Sequence, residues 1–347
     1  MSRAVRSGKR GNGGGSGRPA LPNLTSRRES FAPDGQKASP PVKLPTQCTA
    51  WLTAAAALLA MAATAPAGAD DAWLKVGTDA HGGVSGAAYE GRTDAGTDVL
   101  VVHDNKRSGQ PRLSRITHGE GSAAVTPLVW DGAEPSDLEA IEAVPGAPGE
   151  FLALAGRGIV YRLKVTGAMA TVVDYAPLPA IGEGDDFESF ALVAQNGNLA
   201  ALWADRGAGA GRPATVYAAP LTFASWGQPL FGTVTRRDYR ATYPTGDGTR
   251  YISDISVTDS GRILASSAAD AGDDGPFDSA VSNAGSVTVT PAGRVRLMMA
   301  ASPAVLETHP GYKIEAVECL PGTTDAFLGT DDENHGGYVR TTPLCAA

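Results

Sequence analysis

Five short segments of the chain repeat one pattern: VSGAAYE at 84–90, DLEAIEAV at 137–144, FESFALV at 187–193, ISDISV at 252–257 and IEAVECL at 314–320. In each, an apolar residue precedes an acidic residue or serine, and a small residue or Asp precedes mostly apolar positions. The second positions are Ser85, Glu139, Glu188, Ser253 and Glu315, spaced by 54, 49, 65 and 62 residues. Each segment is followed by a turn such as PGAPGE, AQNGN, TDSGR or PGTTD and then by further short β-rich runs. No long amphipathic helical stretch follows residue 70. A repeated unit of three or four antiparallel strands of this length is a propeller blade. Blades meet at a central channel, so the innermost strand needs small side chains, and Ala140, Ser189 and Ala316 meet that need. The fold expected is therefore an all-β propeller of five blades, with six still open because the two longest units have room for another. The last unit runs short, and the segment AWLKVGT at 72–78 is expected to supply its missing outer strand and close the ring, leaving no bare sheet edge.

The first 69 residues read differently. Residues 1–47 are basic and poor in large apolar side chains, a composition that cannot offset chain entropy by burial, so disorder is expected. Residues 48–69 hold an Ala/Leu-rich run ending in small residues, the pattern of an export signal with cleavage before Asp70. An uncleaved membrane anchor is the alternative. A single propeller domain then spans 70–347, exported to the periplasm or the medium. Cleavage takes away nine of the 29 Lys/Arg and two of the 37 Asp/Glu and leaves a formal charge of −15. That balance excludes nucleic acid as a partner, and it excludes a membrane unless the leader stays attached. A monomer is expected. Cys319 and Cys345 remain and are candidates for a disulfide in an oxidising compartment.

Topology gathers the polar residues. In an up-and-down blade, the start of the first strand and the end of the second lie on one face. The repeat glutamates sit at the starts. The ends of second strands carry His103-Asp104-Asn105, Arg157, Asp205-Arg206, Asp270 and Asp331-Asp332-Glu333. Both sets should ring one mouth of the channel. Two carboxylates about 5 Å apart at an effective dielectric near 20 repel by roughly 3 kcal/mol. A converging ring therefore needs a cation, bridging water or protonation. Oxygen ligands without Cys/His clusters favour Ca²⁺, with Glu139, Glu188, Asp254, Glu315, Asp331 and Asp332 as candidate ligands. The alternative without an ion has each Glu capping backbone N–H groups of a neighbouring blade.

The DLEAIEAV, FESFALV and IEAVECL repeats, and IEAVECLPG…FLGTDDENHGGYVR, resemble bacterial secreted phytase-like propellers, the family named for the esterase-like activity of phytase. The similarity runs from about residue 73 to 344. Calcium-activated five-bladed apyrases are a more distant likeness. This chain departs from the pattern where Ala or Ser replaces the Gly after each repeat Glu, and where the first and fourth units lack the Glu. The resemblance implies a Ca²⁺-dependent phosphoesterase acting on a phosphorylated small molecule. Lys106, Arg157 and Arg206 would clamp phosphate, and His103, Asp104 and His335 would serve proton transfer. The competing expectation is a binding or scaffold propeller with a structural ion and no catalysis. No Gly-x-Ser-x-Gly elbow, Walker loop or His-Glu-x-x-His pair is present.

Overall fold

The computed structural model describes residues 73–346 apart from 247 and 270. The basic segment and the export signal therefore lie outside the described residues. Five sheets follow one another, antiparallel except for the parallel outermost strand Val129–Asp131 of the second, and no α-helix occurs among the described residues. The innermost strands are Gly86–Thr93, Leu138–Ala143, Phe187–Gln195, Thr249–Val257 and Ile314–Cys319. They belong to blades one to five in that order. Each hydrogen-bonds to a second strand and that to a third. The ring has five blades, not six: the long third and fourth units spend their extra residues on outer strands. Blade three carries both Pro229–Phe231 and Thr235–Tyr239 on its third strand. Blade four ends in a long hairpin of Asp278–Val289 and Val295–Pro310.

Blade five contains Ile314–Cys319, Ala326–Thr330 and Tyr338–Thr342, and its outermost strand is Leu74–Lys75 from the other end of the chain. Leu74 faces Val339 and Lys75 faces Tyr338. The expected closure thus occurs within 72–78, over two residues. Cys319 and Cys345 form a disulfide, Cα to Cα 5.7 Å, which ties the C-terminal residues to the same blade.

Five apolar clusters fill the five junctions between neighbouring blades. Leu152, Leu154, Phe187, Phe190 and Trp203, for example, close the junction of blades two and three and are fully buried. Burying one such side chain stabilises by roughly 1.5–3 kcal/mol. Neighbouring blades run close where Gly86 passes blade two: a Cβ there would lie 2.7 Å from the Ala140 Cα. Backbone hydrogen bonds lace the junctions at one end of the channel. Val84 N–H donates to the Thr330 carbonyl, Asp137 to Asn105, Phe187 to Gly156 and Tyr251 to Arg206. At the remaining junction Ile314 N–H donates to the Ser279 hydroxyl. This laced end is the mouth that the repeat predicts.

Candidate functional site

The ladder of each inner strand breaks at the repeat glutamate. Leu138 faces Ala155, but Ala140 faces Leu154, so Glu139 has no partner. Glu188 is skipped between Phe187 and Ser189, and Glu315 between Ile314 and Ala316. A bulge of this kind re-aims the extra side chain and bends the strand. Three blades use the same device at the same position to turn a glutamate toward the mouth. Ser85 and Ser253 hold that position in blades one and four. Their hydroxyls are buried and find no hydrogen-bond partner among the described residues.

Glu188 and Glu315 are held by basic side chains. Arg206 lies 3.2 Å from Glu188 and 3.2 Å from Asp186. Arg250 lies 3.1 Å from Glu315 and 4.0 Å from Glu188, bridging blades three and five. Lys313 lies 3.0 Å from Glu315 and also pairs with Glu333. Lys106 lies 3.0 Å from Asp137 and 4.0 Å from Asp104. Eight carboxylates, Asp104, Asp137, Glu139, Asp186, Glu188, Glu315, Asp331 and Glu333, thus share the mouth with four bases. The imbalance shows in their protonation. Burial, then the charges of Glu188, Asp137 and Glu315, push Glu139 well above the usual carboxylate range. Burial and Glu315 do the same to Asp331 and, more weakly, to Asp104. Glu188 is raised by burial to about 7 although Arg250 and Arg206 oppose the shift. Burial among like charges therefore favours the neutral form of Glu139 and Asp331 in this mouth.

Of the acidic pair in the last blade, Asp331 joins the mouth and Asp332 does not. Asp332 accepts from Lys313 N–H at 2.6 Å and from the Thr330 hydroxyl at 2.9 Å, so it fixes the start of the last inner strand. Asp331 packs against Gly83, where a Cβ would sit 2.2 Å from its carboxylate oxygen. Asp254 also departs from the expectation of a ligand. Its oxygens accept from Ile255 N–H and Val317 N–H, both at 2.8 Å, so it stitches blade four to blade five. That is the backbone-capping role weighed for the glutamates, realised by the aspartate instead. His103 is no proton shuttle to the mouth. It is 5 % exposed, and both ring nitrogens are engaged. The Gly83 carbonyl can only accept, so Nδ1 carries the proton and Nε2 accepts from Ser114. Burial lowers its pKa and keeps it neutral. It holds Gly83, and through it the space beside Asp331. Arg157 is exposed on the turn between Gly156 and Gly158 and joins no ion pair among the described residues. His335 is exposed, its ring against Phe277 rather than over the carboxylates. Arg250 and Lys313 are the residues sequence reasoning missed. Their only signal is a basic residue one or two places before Ile314 and Ile252.

The donor chemistry of the mouth, carboxylate oxygens alone, suits a hard cation such as Ca²⁺. Among the described residues, however, no three His, Cys, Asp or Glu side chains are placed together as a metal cage. An ion there would need oxygens from its ligand as well.

No protein-family model matches the chain, and no curated protein matches it. Solved structures do resemble it. The GH43 BlXynB protein of Bacillus licheniformis is 13% identical with a TM-score of 0.40, covering 72% of this chain and 51% of that one. The chain thus spans about half the length of that protein. An α-L-arabinanase of Penicillium chrysogenum complexed with arabinobiose is 10% identical with a TM-score of 0.42, covering 78% of this chain and 98% of that one. At this level of similarity the chemistry rests on the residues of the mouth.

Proposed function

We propose that the chain is an exported hydrolase whose working site is the laced mouth, taking a phosphate ester together with a divalent cation, Ca²⁺ first. The observation that carries this reading is the excess of carboxylates at the mouth, eight from four of the blades, over four basic side chains. Such an excess attracts positive charge, and a phosphate ester brought with a cation offsets it. Arg206 and Lys106, partly exposed at the rim, are placed to hold phosphate oxygens. Glu139, kept protonated, is placed to give a proton to a leaving oxygen. When bound, the ion supplies Lewis-acid polarisation of the phosphoryl oxygen.

The test is release of phosphate from phytate, nucleotides and p-nitrophenyl phosphate by the purified chain, with Ca²⁺ and with chelator. Calcium-dependent turnover that falls at least 100-fold in Glu139→Gln supports the reading. A calcium-dependent rise in Tm without turnover on any substrate turns the mouth into a binding site. Neither turnover nor shift sinks it. One observation favours a second reading. A carboxyl raised by burial among other carboxyls, as Glu139 is, is also what glycoside hydrolysis uses, so p-nitrophenyl glycosides belong in the same assay without added metal.

A further inference from the structure

A second concavity lies on the other side of the Glu333–His335 turn from the acidic ring. It has a volume of about 480 Å³ and is lined by Phe277, Tyr312, His335 and Tyr338 together with Asp274 and Asp332. Neither a lysine nor an arginine lines it. The rings hold one another in place. Tyr312 stacks on Trp73 at 4.4 Å and meets Tyr338 edge to face at 5.6 Å. His335 meets Phe277 edge to face at 6.1 Å. Asp274 accepts from the Asn334 side-chain amide at 3.0 Å, which fixes one wall to the turn. One ring already takes an ammonium group: Lys75 Nζ lies 5.2 Å from the Tyr338 centroid.

Aromatic walls that are pre-arranged and backed by carboxylates have a definite preference. Ring faces are electronegative and attract a cation that is weakly hydrated and apolar in its outer shell. A metal ion would forfeit its water or oxygen ligands against such walls, and an anion would meet the exposed Asp274. We propose that this concavity binds an organic cation, a methylated or quaternary ammonium group, through Phe277, Tyr312, His335 and Tyr338, with Asp274 supplying the counter-charge. The site is separate from the acidic mouth and does not depend on its being hydrolytic. The shared turn couples them only through position, Glu333 facing Lys313 on one side and His335 facing the rings on the other.

Isothermal titration calorimetry of the full chain with tetramethylammonium chloride and with choline chloride tests this, against sodium chloride at equal ionic strength and against glucose. Saturable heat with both ammonium salts and none with the controls is the expected result. His335→Ala sits on an exposed residue and leaves the fold intact; it should weaken binding several-fold. Tyr338→Leu should weaken it about tenfold, and Asp274→Asn about threefold. The proposal is overturned if neither ammonium salt binds, if sodium or glucose binds as well as they do, or if His335→Ala and Tyr338→Leu both leave the affinity unchanged. Should Tyr338→Leu fail to fold, His335→Ala and Asp274→Asn decide alone.

Discussion

The inner strands of blades two and five each carry a glutamate at both ends, and the two ends treat it in opposite ways. At the laced mouth, Glu139 and Glu315 sit on bulges among lysines and arginines. Three residues on, Glu142 and Glu318 stand in regular ladder positions facing Leu152 and Phe327. Around them is a cavity of about 220 Å³ with Tyr89, Leu192, Val193 and Val257 in its walls and no basic side chain. Glu318 accepts a hydrogen bond from Tyr89 N–H at 2.9 Å, a stitch from the last blade to the first. Burial pushes Glu318 up to about 8, and burial with the charge of Glu318 pushes Glu142 well above the usual range. One end thus neutralises much of its charge with guanidinium and ammonium groups, the other with protons. A channel whose ends differ this way responds differently at each: to salt, ligands and pH at the mouth, to pH at the far end.

The contrast breaks most sharply at Arg250. Removing it as Arg250→Ala leaves Glu188 and Glu315 buried without their bridge, and should cost about 3–5 kcal/mol of unfolding free energy. Denaturant melts should show a smaller loss at pH 5 than at pH 8, because Glu188, at about 7, takes up a proton on the way down. Equal losses at both pH values would mean that Arg250 acts by packing alone.

At the far end the sign reverses. A carboxyl raised from 4.5 to about 8 keeps its proton in the folded chain while the unfolded chain releases it. Stability is therefore full below about pH 4.5 and falls as pH rises toward 8. Glu318→Gln keeps an acceptor for Tyr89 N–H and removes that loss. Its Tm at pH 8 should rise by on the order of 5 °C, with little change at pH 4.5. A Tm rise of the same size at both pH values would show that the proton is not the cause.

Smaller effects sharpen the mouth itself. Gly83→Ala should cost about 1–3 kcal/mol by driving a methyl into the Asp331 carboxylate; a neutral result would place Asp331 elsewhere in solution. The smallest effect is expected of Ser85→Ala and Ser253→Ala. Their hydroxyls have no partner among the described residues, so stability should stay within about 0.5 kcal/mol or rise slightly. A thermal melt that drops by more would reveal a partner for them.

Blade count, ring closure and the side of the channel that gathers charge are legible in the spacing of the repeats. So is the cysteine pairing, as one of two options. The rest depends on register. Whether Glu139 points into the mouth is decided by a one-residue bulge, and bulges arise from pairing with a strand 15 or so residues away. Asp331 and Asp332 differ only in which precedes the 3₁₀ turn, so the run of acids alone does not say which is bonded to Lys313 N–H. Asp254 looks like a substitute for a missing glutamate. It stands one place later, and on a strand one place turns a side chain to a different neighbour. Arg250 and Lys313 stand one or two places before the repeated segments, where no periodicity marks them.

The pairing of Leu74 with Val339 has a consequence for how the molecule is made. The first strand of the ring to leave the ribosome belongs to the blade that leaves last. It has no hydrogen-bonding partner until about 260 further residues have been added. Blades one to four can mature in order, each against its predecessor, but the circle stays open until the final strand arrives. Anything that halts synthesis in the last unit, or clips the chain before Tyr338, strands an unpaired edge at the start as well as at the end.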